Sequence, residues 1–226
     1  MLYAITNRQL YGGNEANLRS RLLELAAIWA ANGVAFIQLR EKDLPGRDQV
    51  ELAQAMLREI RAARNSQSPS QPAAQLLVNG RPDVALAAGA DGVHLPAGPA
   101  ALTPEEVRSI FAVGNAAPPI ISISCHTLAE VEAARQQQVD CILFAPVFEK
   151  IVAEDAIDPF QPQTLSGVGL ERLQQACRAA ASIPVYALGG VTAENAPQCL
   201  RAGAAGIAAI RLMMEPASAW LHLARQ

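Results

Sequence analysis

Ile120-Ile121-Ser122-Ile123-Ser124-Cys125-His126 is a mainly apolar run that ends in a histidine. Apolar residues at 121 and 123 alternate with polar ones at 122, 124 and 126. Successive side chains of a strand point to opposite faces, so Ser122, Ser124 and His126 share one side and His126 closes the strand. A helix-like stretch, Thr127 to Gln137, follows directly. The same strand-then-helix unit recurs on both sides of it. Further apolar runs predict strands at Tyr3 to Thr6, Val34 to Leu39, Gln75 to Val78, Gly92 to Leu95, Cys141 to Phe144, Val185 to Leu188 and Gly206 to Ile210, with Ile120 to Ser124 as the fifth of the series. Leu18 to Ala31 and Arg47 to Ala63 read as helices, and Leu22, Leu25, Ala26 and Trp29 space as one buried helix face. Thr103-Pro104-Glu105-Glu106 is a helix start, with an N-cap, a proline at the first position and acids in the first turn.

About eight such units predict a closed parallel (β/α)8 barrel. The rival, a doubly wound open sheet, is disfavoured because no glycine-rich dinucleotide fingerprint follows the first strand. The 226 residues show no domain boundary, and one domain over 1–226 is expected. Two stretches read as loops. One is the Ser/Gln/Pro-rich Asn65 to Pro72, expected to be flexible. The other is the long, proline-containing Ala145 to Gly167. Long loops after barrel strands often carry function.

Composition narrows the function. A 51% hydrophobic, 17% charged chain is globular rather than disordered. A net charge of -3 gives no reason to expect nucleic acid or an anionic membrane as partner. No apolar run reaches the roughly 18 residues that span a bilayer. The start, Met1 to Thr6, lacks the order of a secretory signal. A cytoplasmic location is the expectation, with Cys125, Cys141, Cys177 and Cys199 as scattered reduced thiols.

In such a barrel the strand ends carry the chemistry. The second strand runs into Gln38-Leu39-Arg40-Glu41-Lys42, where Gln38, Arg40 and Lys42 share a face. That end suits a phosphate or carboxylate, or is a solvated charged loop. Asn79-Gly80 after the third strand suits either a heterocycle-binding amide or a plain turn. His94, in the fourth strand, reads as a packed residue. Gly189-Gly190 after the seventh strand lets backbone N–H groups approach a phosphate, with Ile210-Arg211 at the end of the eighth beside it. His126 is either a satisfied structural histidine or a proton carrier suited to neutral pH. Cys125 faces the other way, so Cys-His is not a nucleophile–base pair.

Together these segments resemble the thiamine phosphate synthase/TenI superfamily. The resemblance runs from Tyr3-Ala4-Ile5-Thr6 through Gln38-Leu39-Arg40-Glu41-Lys42, Gly89-Ala90-Asp91-Gly92-Val93-His94-Leu95 and Ile183 to Val191, and on to Ala202 to Ala208. It implies a (β/α)8 barrel that binds a thiazole phosphate. In the synthase branch, which joins an aminopyrimidine diphosphate to that phosphate with magnesium, acids follow the third and fourth strands as metal ligands. Here those positions hold Gly80 and the acid-free Pro96-Ala97-Gly98-Pro99. The segments around Asn79-Gly80-Arg81, Leu95 to Gly98, Ser124-Cys125-His126 and Leu143 to Glu149 look like the TenI branch, a thiazole tautomerase that needs no cofactor.

The resemblance therefore implies, first, a tautomerase that aromatises a carboxythiazole phosphate. His126 is its acid/base, Arg40, Lys42, Asn79 and Ser124 bind substrate, and Gly189, Gly190, Ile210 and Arg211 bind phosphate. No metal site is expected. A synthase, with Mg2+, is the alternative, and a non-catalytic regulatory barrel that binds a thiamine-related phosphate is the third. Arg211 replaces the serine usual at its position, and Lys42 is more typical of the synthase. The expected partner is a small-molecule thiazole phosphate, with a homo-oligomer as the candidate assembly.

Overall fold

The computed structural model describes residues 1–64, 73–98, 100–152 and 163–225. Among the described residues ten strands form in chain order: β1 Leu2–Ile5, β2 Phe36–Leu39, β3 Gln75–Asn79, β4 Gly92–Leu95, β5 Ile120–Cys125, β6 Cys141–Phe144, β7 Lys150–Val152, β8 Gln163–Leu165, β9 Val185–Ala187 and β10 Gly206–Ala209. The helices are α1 Glu15–Ala31, α2 Gly46–Arg64, α3 Pro82–Ala88, α4 Pro104–Val113, α5 Leu128–Gln136, α6 Gly169–Ala179, α7 Ala196–Arg201 and the short α8 Arg211–Met214. Eight of the strands close into a parallel barrel in the order β1-β10-β9-β6-β5-β4-β3-β2. The predicted barrel is therefore the observed one.

The strands are apolar on both faces, as a sheet wrapped by helices requires. Outward residues such as Ile37, Val78, Val93, Ile121, Ile142 and Ile207 join the helices in one large core. Inward residues form a second cluster: Tyr3, Ile5, Leu77, Cys141, Leu143, Tyr186 and Ala208. Tyr3 is its hub, with ring centroids 5.5 Å from Phe36 and 5.7 Å from Tyr186. Gly92 serves close strand approach, since a Cβ there would lie 1.9 Å from the Ile120 carbonyl oxygen.

The loop expected at Ala145 to Gly167 contains the antiparallel pair β7 and β8, which the sequence reading missed. Part of that loop, and the loop at Asn65 to Pro72, lie outside the described residues. The eighth barrel strand ends at Ala209 rather than Ile210, because Ile210 turns into the αR region (φ -96°, ψ -74°) and caps α8. Among the described residues no helix is long and apolar enough to cross a membrane. All four cysteines are free thiols.

Candidate active site

Parallel register stacks the inward side chains of neighbouring strands. Asn79 pairs with His94, His94 with Ser122, and Ser124 with Leu143. This builds a polar layer over the apolar interior. His94 is 3% exposed, with Nδ1 2.7 Å from Ser122 Oγ and Nε2 3.0 Å from Ser124 Oγ. Below it, the Tyr3 hydroxyl lies 2.9 Å from Ser122 Oγ. Burial, reinforced by the nearby Arg40 cation, pushes His94 down to about 3, so the ring is neutral. His94 is thus a packed strand residue as expected, but it is also the hub of this polar layer.

On the β2 side, Gln38 Nε2 donates to Asn79 Oδ1 at 2.9 Å. Its Oε1 has no hydrogen-bond partner, although Gln38 is only 1% exposed. Buried acceptors are rarely left so, because desolvation without a replacement bond is costly. Arg40 is half-buried and Lys42 exposed just beyond. A clamp from the end of β1 holds this strand end: the Arg40 N–H donates to Thr6 Oγ1 at 2.9 Å. Arg8, 2% exposed, donates from its side chain to Glu41 at 2.9 Å, to Asp43 at 2.7 Å and to Glu15 at 3.1 Å. Its backbone N–H also reaches Glu41, at 3.1 and 3.2 Å. Burial raises Glu41 above the ordinary carboxylate range against the opposing bonds from Thr6 and Arg8, while the Arg8 guanidinium holds Asp43 down at about 2.

On the β5 side, His126 follows the strand and is exposed. Its Nδ1 lies 2.6 Å from the Ala145 carbonyl oxygen, an atom that only accepts. Nδ1 therefore carries a proton and donates it, and Nε2 has no partner among the described residues. The backbone here is set by the start of α5. Thr127 and Glu130 form a capping box, and Glu130 also accepts the His126 N–H at 2.5 Å. Cys125 points outward into the helix-facing core, and burial pushes its thiol up to about 12. It is no nucleophile, as its strand parity indicates.

Gly189 and Gly190 have φ of +94° and +62°. A Cβ on Gly189 would lie 2.7 Å from Pro146 Cα, and one on Gly190 2.4 Å from the Glu149 carbonyl oxygen. The pair is thus required by the chain that follows β6, a packing reason independent of any ligand. The N–H groups of both glycines have no acceptor among the described residues. Arg211 is exposed as the first residue of α8, so it leaves the barrel wall rather than ending a strand. No hydrogen bond or ion pair among the described residues ties Lys42 or Arg211 to the rest of the set.

Sequence reasoning missed the unpaired Gln38 acceptor, the His94 hub and the Arg8 clamp. Gln38 carried a usable signal, as a polar inward residue in an apolar strand. The Arg8–Glu41 pairing joins residues 33 positions apart and follows only from β1 lying beside β2.

A parallel barrel with its polar groups gathered at the C-terminal strand ends is the arrangement of a (β/α)8 enzyme. The family model described as thiamine monophosphate synthase matches residues 2–213, and the chain belongs to that thiamine phosphate synthase/TenI family. It is 39% identical over 209 residues to a putative thiamine-phosphate synthase of Geobacter sulfurreducens, covering 92% of this chain and 84% of that one. It is 37% identical to the thiamine-phosphate synthase of Methanoculleus marisnigri, covering 92% and 85%. A solved structure, the thiamine phosphate pyrophosphorylase from Pyrococcus furiosus, superposes with a TM-score of 0.72 at 28% identity, covering 99% of this chain and 91% of that one.

The synthase branch implies magnesium, and the residues present do not fit it. Gly80 and Pro96-Ala97-Gly98 supply no oxygen ligand from a side chain. Among the described residues no group of three or more His, Cys, Asp or Glu could hold a metal ion.

Proposed function

We propose that this chain makes thiamine phosphate, by joining an aminopyrimidine diphosphate to a thiazole phosphate in the barrel mouth. The observation that carries the reading is the unpaired, buried Gln38 Oε1 beside Asn79. An exocyclic amino group supplies the donor it lacks. A carboxythiazole phosphate offers oxygen and ring-nitrogen acceptors there but no N–H. The names of the relatives favour the same reaction.

Arg40 and Lys42 would bind the diphosphate, and Asn79 the ring beside Gln38. The N–H groups of Gly189 and Gly190, with the backbone at Ile210-Arg211, would take the thiazole phosphate. The thiazole nitrogen forms a C–N bond as the C–O bond to the diphosphate breaks. The negative charge that leaves is met by Arg40 and Lys42. No step is assigned to a metal. A Gln38→Leu variant should raise KM for the aminopyrimidine diphosphate about tenfold, the worth of one hydrogen bond in a dry site, with KM for the thiazole phosphate unchanged. An unchanged KM for the aminopyrimidine diphosphate would remove the support.

His126 and the missing acids favour a second reading, the thiazole tautomerase. Its Nδ1 is tied to the Ala145 carbonyl, so Nε2 is the nitrogen left to exchange a proton, and proton transfer needs no divalent ion. In that reading His126 removes a ring proton and returns one elsewhere, while Ser124 binds beside it. Aromatisation of carboxythiazole phosphate, with no thiamine phosphate formed from the coupling pair, would establish it over the first.

A further inference from the structure

We propose that His94 is a positioning residue, which as its Nε2–H tautomer turns the Ser124 hydroxyl hydrogen toward the mouth to donate to an acceptor oxygen of the substrate. The Tyr3 hydroxyl is fully buried, and Ser122 Oγ is its one hydrogen-bond partner among the described residues. If Tyr3 accepted from Ser122, its own hydrogen would be left unmet in the apolar interior. Tyr3 therefore donates to Ser122. The Ser122 hydrogen must then go elsewhere, and His94 Nδ1 is 2.7 Å away. Cys141 is the other neighbour of Ser122, but a thiol sulfur accepts far more weakly than an imidazole nitrogen. Nδ1 thus carries the lone pair. A neutral ring has one N–H, so Nε2 donates to Ser124 Oγ at 3.0 Å.

This fixes the polarity of the layer in one direction, from Tyr3 to Ser122, to His94, to Ser124. Ser124 Oγ is occupied as an acceptor, and its own hydrogen has no acceptor among the described residues. Ser124 is half-buried near the C-terminal end of β5, and Gln38 and Arg40 lie at the same end of β2. Gln38 needs a donor; Ser124 supplies one. The substrate oxygen that Ser124 meets belongs to the ligand of the proposed function, so this part rests on that reading. The tautomer does not.

The first experiment is a long-range proton–nitrogen NMR spectrum of the ligand-free protein labelled at histidine nitrogens. The expected spectrum has His94 neutral, with Nε2 protonated and Nδ1 in the lone-pair range. A protonated Nδ1 would overturn the proposal. The second is titration with inorganic pyrophosphate. Ser124→Ala and His94→Phe should each weaken binding about tenfold, the double variant no more than either, and Ser124→Thr should restore it. Loss of binding in Arg40→Ala with none in Ser124→Ala would overturn it. If wild type fails to bind pyrophosphate, the proposed function fails instead, and the NMR spectrum alone decides the inference.

Discussion

The two sides of the barrel mouth are built differently. The β2 side carries cations and an amide with an unmet acceptor, and the buried Arg8–Glu41 ion pair holds it in place. The β5 side carries a single imidazole held through a surface capping box. One side presents cations and an acceptor that lacks a donor. The other presents an imidazole. The lesson is that shared family membership leaves the reaction open, and the side that does the work determines it. Between them lies His94, a neutral hub bonded through both ring nitrogens, whereas His126 is bonded through Nδ1 alone among the described residues.

The strongest challenge to this contrast is to remove the clamp. Arg8→Met leaves Glu41 buried without its cation, and should cost about 3–5 kcal/mol in denaturant unfolding. A loss under about 1 kcal/mol would mean that the β2 side is held no more firmly than the β5 side. Next come the working groups. Arg40→Ala should lower kcat/KM for thiamine phosphate formation about 100-fold, and His126→Ala less than about threefold. The reverse order would move the chemistry to the β5 side.

The hub between the two sides gives a pH signature. A histidine held far below its unfolded value binds no proton in the native state, while the unfolded chain takes one up. Its contribution is complete above the unfolded value near 6.5 and is lost as pH falls through it. Between about pH 6 and 4 wild type should lose up to about 1.4 kcal/mol per pH unit more than His94→Phe, measured by urea titrations. Equal slopes would show that His94 is charged in the folded protein. The smallest effect is expected at the capping box, where Thr127→Ala should cost about 1 kcal/mol and leave Gln38 and Arg40 undisturbed.

Much of this was legible in the sequence, for local reasons. Period-two alternation at 120–126 and the repeated strand–helix unit indicate the barrel, and strand parity turns Cys125 outward and Ser122 and Ser124 inward. Arg40, Asn79 and Ser124 all join the polar groups at the strand ends. What escaped depends on register between strands distant in sequence. Nothing local says that Ser122 meets both Tyr3 and His94, or that Arg8 reaches Glu41. Arg211 was misplaced because an apolar run does not announce where a strand bends into a helix.

The most direct measurement gives purified wild-type protein the aminopyrimidine diphosphate and the thiazole phosphate in magnesium-containing buffer, and follows thiamine phosphate and released pyrophosphate together. A working β2 side predicts that both accumulate in equal amounts over many turnovers. No product under these conditions, with carboxythiazole phosphate aromatised in a parallel reaction, would contradict it and place the reaction at His126. Binding with no turnover in either reaction would contradict it too, and leave a barrel that only senses its ligand.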